Sequence, residues 1–569
     1  MAEYRLALAD PRAHLFGLTL TLPRPAATQA FSLPAWAPGS YMVRDFARHL
    51  SQLRARQGAR ELAVEQVAKS RWVVRTQGDL PLELSWQVYA FDASVRGAFL
   101  DTARGFVNGP AVFLCAEGRE DEPHTLALGG LPRGWQVATT LPARGARRFR
   151  AEGWRELIDH PIALGRFWRG GFTAGGVAHE VVVEGAWPGF DGERLVADVQ
   201  RLCETQIRFW HGRGRPPFDR YTFLLHAADE GYGGLEHRHG SALQCARRDL
   251  PRRGAAERSD GYASLLALFS HEYFHAWNVC RMRPAEWVAP DLAAEVPTGL
   301  LWFYEGFTAY YDELMLLRAG LVDRPRYLRA LARSVNAVLG APGRFVQSVA
   351  EAGFDAWTKY YRRDENSVNA TVSYYDKGAL VALLADLHLR RAGRSLDEVM
   401  RALWRQAQRG PVGEAEIAAA LGEPLAARLH GWVHGRAELP LAEALGAAGV
   451  RWRDDPVPGL AARLGLKVSE GPVTGLQVRE VHRGGVAEAA GLAPGDEMLA
   501  AAGWRLRRLD DALQWLTEGE RFELLLVRDQ RVLGLPLVLP PPRRGPVTLV
   551  PDESAAADAL VLRRAWLGG

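Results

Sequence analysis

Lysine is almost missing from this chain of 569 residues. Four occur, Lys69, Lys359, Lys377 and Lys467, against 66 arginines scattered through every region. A spread of that kind, with no basic stripe, gives no electrostatic footprint for nucleic acid, and coding bias accounts for it. An excess of one charge is missing too, since 70 basic against 66 acidic residues leave a net +4. Cysteine is sparse: Cys115, Cys203, Cys245 and Cys280 lie far apart and form no C-x-x-C pair, which argues against a disulfide framework and a thiolate zinc site. No run of 18 apolar residues occurs, and "MAEYRLALADPRAHLF" has no basic segment followed by an apolar one. Neither a membrane helix nor a signal peptide is indicated, so a cytoplasmic protein is expected.

What is present is ordinary globular composition, 48% hydrophobic and 24% charged, in a length that suggests roughly three to five domains. Over residues 1–162, short alternating runs such as "LFGLTLTLP", "RWVVRT" and "LELSWQVYAF" between Pro, Gly and Asp predict an all-β domain. Over 163–445, strands such as "RYTFLLHA" give way to long helical patterns. "SDGYASLLALFSHEYFHAWN" starts at Ser259 or Asp260 as N-cap, and "DKGALVALLADLHLRRAG" ends in a glycine stop. Over 446–541, "GGVAEAAGLAPGDEMLAAAGWRL" offers a short helix, a Gly-x-x-Pro-Gly-Asp turn and an apolar strand, and resembles a bacterial-type PDZ domain. Leu464, Gly465 and Leu466 then stand where such domains receive a peptide C-terminal carboxylate. The "PPPRRGP" segment, Pro540–Pro546, reads as an extended spacer before a short tail, with 542–569 as the C-terminal tail. The expected fold class is α+β and multidomain.

The chemistry is concentrated in "LLALFSHEYFHAWNVCR", Leu265–Arg281. On a helix, His271 and His275 are one turn apart on one face and can reach one ion, with Glu272 beside them to take a proton from water. A catalytic zinc site usually has three protein ligands and an open position. The third candidate is Glu305 in "GLLWFYEGFTAYYDEL", 30 residues beyond His275, a carboxylate in an apolar helical pattern that is costly to bury without a partner. Zinc lowers the pKa of its water to about 7, so the expected reaction is amide hydrolysis with Glu272 as general base.

"HEYFHAWN", "WFYEGFTAYY", "GYGGLEH" and "SYYDKGA", followed by the PDZ-like stretch, together resemble the glycyl aminopeptidase family of PDZ-containing gluzincin metallopeptidases. "LPAWAPGSYMVRDFARHL" and "YAFDASVRGAFLD" extend the likeness to that family's N-terminal domain. The resemblance implies a thermolysin-like catalytic domain over 163–445 and one Zn2+ per chain on His271, His275 and Glu305. It further implies Glu236 as the anchor for the substrate's α-ammonium, with Gly233 and Gly234 allowing close backbone approach, and Tyr375 as hydrogen-bond donor to the oxyanion. His237 has no role assigned by it. Ala309 stands four residues after Glu305, where thermolysin-like enzymes have an aspartate, so the histidine rings need another partner, Asp312 or a backbone carbonyl.

The expected activity is therefore removal of N-terminal residues, small ones such as Gly and Ala by family likeness, from peptides with a free N-terminus. An endopeptidase with the same metal chemistry and a PDZ-dependent binding protein with an inactive peptidase domain are the competing readings. The PDZ-like unit either recruits C-terminal peptides or packs on the catalytic domain.

Overall fold

Alternation decides the first region. In "LFGLTLTL" and "LELSWQVY" every second residue is buried, so each strand turns one apolar face inward and one face to solvent. The computed structural model describes residues 1–456, 459–542 and 544–568, and the chain divides into two units. The first comprises Met1–Val296, Tyr311–Val322 and Leu403–Val412. Its N-terminal part holds an eight-stranded sheet and two four-stranded sheets. Strand Ile162–Gly165 pairs with Arg104–Val107 and Gln136–Ala138. The N-terminal β region therefore ends after Gly165, past the boundary expected at 162, because the strand's partners lie behind it.

The next sheet has five strands in the order Trp168–Ala174, Val177–Glu184, Arg220–Ala228, Gly240–Ala246, Gly233–His237. The last of these, the "GGLEH" stretch, is the edge strand, antiparallel to its single neighbour. Helix Asp260–Phe274 packs on these two strands. It starts where Ser259 Oγ accepts from the Tyr262 N–H at 3.1 Å, so Ser259 is the N-cap.

The second unit comprises Pro297–Tyr310, Asp323–Ala402 and Gly413–Gly569. The pattern expected as a single helix is divided at Glu305, into Leu301–Tyr304 and Gly306–Arg318. Helix Tyr374–Arg391 is buried along most of its length. A methyl on Gly378 would stand 2.5 Å from the Trp302 carbonyl and 2.8 Å from Gly306 Cα. The glycine of "YYDKG" thus lets this helix touch the backbone beside Glu305.

Beyond it, strands Leu466–Gly471, Gly475–Val481, Glu497–Ala501, Arg521–Arg528 and Arg531–Val538 form a sheet over its own apolar core. The expected order of short helix, turn and strand is present: helix Val486–Ala490, left-handed glycines at 491 and 495, then Glu497–Ala501. Asp496 is fully buried and accepts from Arg528 at 2.7 and 2.8 Å, which fixes the turn. "RLDDALQWL" forms only a 3-10 turn, Leu509–Gln514.

Within the expected spacer and tail, 542–569, positions 543 and 569 lie outside the described residues, and 544–568 are not a spacer and tail. Arg544–Pro551 pairs with Val450–Pro456, and Ala557–Leu567 is a helix whose Trp566 Nε1 donates to Tyr310 Oη at 3.1 Å. Proline-rich composition hid a strand whose partner lies about 90 residues earlier in the chain. No helix among the described residues is long and apolar enough to cross a membrane.

Candidate functional site

In the first unit helix Asp260–Phe274 and its C-cap present two imidazoles whose orientation is set from behind. His271 Nδ1 lies 2.9 Å from Asp312 Oδ2, and His275 Nδ1 lies 2.5 Å from the Asn278 carbonyl. Carboxylate and carbonyl oxygens only accept, so each Nδ1 carries the proton and each Nε2 has the lone pair. Both partners considered from the sequence are therefore used, one by each ring. The rings are 4.6 Å apart and nearly perpendicular. Asp312 is held in turn: burial pushes its carboxyl up and the His271 bond works against that, while its backbone carbonyl accepts from Ser270 Oγ at 2.8 Å.

Glu272, 4% exposed, points at the edge strand. A methyl placed on Gly234 would stand 2.5 Å from Glu272 Cγ and closer still to the carboxylate. Gly234 is thus the floor under the expected base. The Arg96 guanidinium donates to the Gly234 carbonyl at 3.2 Å, and Gly233 faces the same guanidinium.

Two residues on, Glu236 is 8% exposed and abuts Gly39. A methyl there would lie 2.5 and 2.6 Å from the two carboxylate oxygens, and Gly39 has φ +82°. No sequence pattern signals this contact: Gly39 sits in an irregular loop 197 positions before Glu236, where no periodicity points. Glu236 lines a cavity of about 350 Å³ with Trp36, Tyr41, Asp159, His237 and Trp287. Asp159 was also unanticipated. Burial raises its carboxyl, but the bond and charge of His237 win and hold it at about 2. His237, without a role in the sequence reading, is the partner of this carboxylate.

In the second unit, Glu305 is 2% exposed at the end of helix Leu301–Tyr304. Tyr374 is fully buried, whereas Tyr375 is half-buried. Burial first, and then the Glu305 charge, push the Tyr375 phenol well above its ordinary range, so it stays protonated. His271 and His275 belong to the first unit, and Glu305, the carboxylate expected beside them, to the second. Two imidazoles and a carboxylate are a usual hydrolytic zinc set, and the fixed Nδ1 protons suit it.

Leu464 and Leu466 turn into the core of the C-terminal sheet. Gly465, with φ +78°, donates its N–H to the Ala462 carbonyl and accepts from His482 N–H. Asn369, another residue the sequence did not flag, bonds the Val481 carbonyl and the Arg483 N–H, each at 2.8 Å.

Comparison with known proteins gives two family matches, the peptidase M61 N-terminal domain over residues 3–166 and M61 glycyl aminopeptidase over 264–381. The first agrees with a β region ending after Gly165. A crystal structure of an aminopeptidase N family protein from Idiomarina loihiensis is 33% identical, covers all of both chains and has a TM-score of 0.94. An M1 zinc metallopeptidase mutant from Deinococcus radiodurans, bound to a Tyr-Ser-Ala substrate, is 15% identical over 77% of this chain and 94% of its own, with a TM-score of 0.48. Another structure of the Deinococcus radiodurans M1 zinc metallopeptidase is 16% identical over the same shares, with a TM-score of 0.47. Among curated proteins no match was found.

Proposed function

We propose, from the premise that this chain belongs to the M61 glycyl aminopeptidase family, that it is a zinc-dependent enzyme removing N-terminal residues from peptides in the cytoplasm. Membership makes it a hydrolase and a metallo-aminopeptidase. The zinc, one ion per chain, is assigned to His271, His275 and Glu305. The observation that carries this assignment is the orientation of the two rings, each with its Nδ1 proton on an oxygen. A merely structural pair of histidines has no need to turn both lone pairs outward.

Bound there, the ion supplies a Lewis acid for the scissile carbonyl and makes a water more acidic. Glu272 takes the proton of the attacking water and delivers it to the leaving amine. Its place against Gly234 sets where that proton is collected. Glu236 holds the α-ammonium, a charge-assisted contact that rewards a free N-terminus. Tyr375, kept protonated, donates to the oxyanion, a contribution of about 3 kcal/mol.

A preference for small N-terminal residues such as glycine and alanine belongs to the same proposal; the family's description, glycyl aminopeptidase, supports its glycine part. The cavity beside Glu236, about 350 Å³, is larger than either side chain needs, so substrate breadth is measured rather than assumed. For the PDZ-like sheet the supported role is packing. Asn369 ties its Val481–Arg483 turn to the peptidase helices of the same unit, and the Gly465 amide is already spent on Ala462.

The test is hydrolysis of glycyl, alanyl, leucyl and phenylalanyl reporters and their N-acetylated counterparts by zinc-loaded wild type and by Glu272→Gln. Turnover confined to free amines and lost in the variant is expected. Equal cleavage of acetylated reporters would replace this reading with an endopeptidase.

A further inference from the structure

A second donor set lies in the helical part of the second unit, on residues that carry none of the roles assigned to catalysis. Glu414 opens helix Glu414–Leu421, and His430 and His434 occupy the last two turns of helix Leu425–His434. Ligand atoms of the three lie within 4.8 Å of one another. His434 Nε2 is 2.7 Å and His430 Nδ1 3.7 Å from the same oxygen, Glu414 Oε1, and the two rings stand 4.5 Å apart.

Both carriers are fixed from the other side. Leu425, Leu429 and Val433 form a buried stripe on one helix, and Ile417 and Leu421 anchor the other. The ligand positions are therefore set by packed helices and not by a loop. The site is open, with His430 71% and His434 39% exposed, which leaves room for waters to complete a coordination shell. It also sits in the last turns of a helix, where the backbone dipole favours a cation.

We propose that Glu414, His430 and His434 form a second site for a first-row divalent metal of the zinc class. Two imidazoles and one carboxylate select zinc, nickel or copper over magnesium or calcium, which demand oxygen. The bound ion joins the two helices by three bonds, where the apo protein has one hydrogen bond to Glu414. Its affinity ranks below that of the His271–His275 pair. Those rings are oriented by Asp312 and Asn278, whereas among the described residues the outer rings have no such backing, and losing outer-shell partners costs about 10–100-fold in metal affinity.

The test is calorimetric titration of the chelator-treated full chain with zinc chloride, comparing wild type with His430→Gln/His434→Gln and with Glu414→Gln. Wild type is expected to take up one ion more per chain than the double variant. Glu414→Gln keeps both imidazoles and is expected to bind that ion at least about 10-fold more weakly. All three side chains are on the surface, so circular dichroism and reporter turnover at wild-type level certify the fold. Equal zinc uptake by wild type and the double variant overturns the proposal, and so does an unchanged affinity in Glu414→Gln. Because the readout is a difference between variants, it stands apart from whether His271, His275 and Glu305 bind zinc.

Discussion

Replacing Gly234 by alanine adds one methyl group, and the structure says where that group goes. It would stand 2.5 Å from Glu272 Cγ and closer to the carboxylate, whereas carbon atoms in contact prefer about 3.5–4.0 Å. Glu272 has to move by about 1 Å or more. Gly234 is not among the positive-φ glycines, so alanine adopts its backbone conformation without strain. The group it strikes is the end of a flexible side chain, which can swing aside at small cost to the fold. The perturbation thus falls on the position of the base and little on stability. A misplacement of about 1 Å in a reacting group costs about 10²-fold in rate, or about 2.7 kcal/mol at 1.36 kcal/mol per decade.

The assay is kcat and KM on an alanyl reporter for wild type, Gly234→Ala, Glu272→Gln and the double variant, with thermal midpoint and bound zinc as controls. The single alanine variant should lose about 10² in kcat while keeping its zinc and its midpoint. In the Glu272→Gln background the same methyl should cost almost nothing, because the base it displaces is already gone. Wild-type kcat in Gly234→Ala would refute the placement of Glu272. A full penalty persisting in Glu272→Gln would show instead that Gly234 acts through the substrate backbone.

Four further outcomes follow from the same geometry. Gly39→Ala places a methyl 2.5 and 2.6 Å from the Glu236 oxygens and should raise KM for free-amine reporters about 10-fold, the size of a disturbed charged hydrogen bond of about 1.4 kcal/mol; an unchanged KM counts against Glu236 as the ammonium anchor. Asp312→Ala removes the oxygen behind His271 and should weaken zinc binding about 10–100-fold, read by chelator competition. Tyr375→Phe should lower kcat by about 10² with little change in KM, while Tyr374→Phe should not. Acid should destabilise the fold through His179, which stacks on Phe172 and lies 2.8 Å from Tyr273 Oη on helix Asp260–Phe274. Burial pushes its pKa down to about 4, against the Val177 carbonyl bond that raises it. Between pH 6.5 and 4 the unfolded chain binds a proton that the folded chain refuses, so stability is lost as pH falls through that window, by about 3 kcal/mol in all. Unfolding midpoints of wild type and His179→Gln across the window should differ in slope by about one proton.

What could be read from the sequence was local or carried by a motif. The spacing of His271, Glu272 and His275 put three side chains on one helix turn, and alternation marked the strands of the N-terminal region, because both depend on neighbours a few positions away. Gly39 and Asp159 were invisible for the opposite reason. Their partners are 197 and 78 positions distant, and nothing in a glycine or an aspartate announces which carboxylate or imidazole it will meet. The orientation of His271 and His275 shows the limit most clearly. The missing aspartate at position 309 showed that other oxygens had to serve, yet the choice between Asp312 and a backbone carbonyl turned on chain geometry. It resolves into one of each because the helix ends at His275 and the chain turns back at Asn278, bringing a carbonyl to within 2.5 Å of His275 Nδ1. His271, one turn earlier and still inside the helix, has its own backbone neighbours committed and takes a side chain from another segment. The misread C-terminus follows the same logic. "PPPRRGP" signals an extended chain, which is also what an edge strand needs, and only the pairing with Val450–Pro456 tells the two apart. That pairing has a practical consequence: cutting the chain at residue 446 to probe the C-terminal sheet would also remove Trp566 from Tyr310 and Val547 from Asn336. A loss of activity in such a truncation would report damage to the peptidase helices. Asn369→Ala isolates the question instead, since besides a 3.3 Å local bond to Asn366 it releases the Val481–Arg483 turn, at a cost of about 1–3 kcal/mol for the two hydrogen bonds to that turn. Dipeptide-reporter kinetics that survive this change would show that the sheet is a support rather than a working part of the active site, and a fall in kcat would show that its docking holds the segment leading to Tyr375.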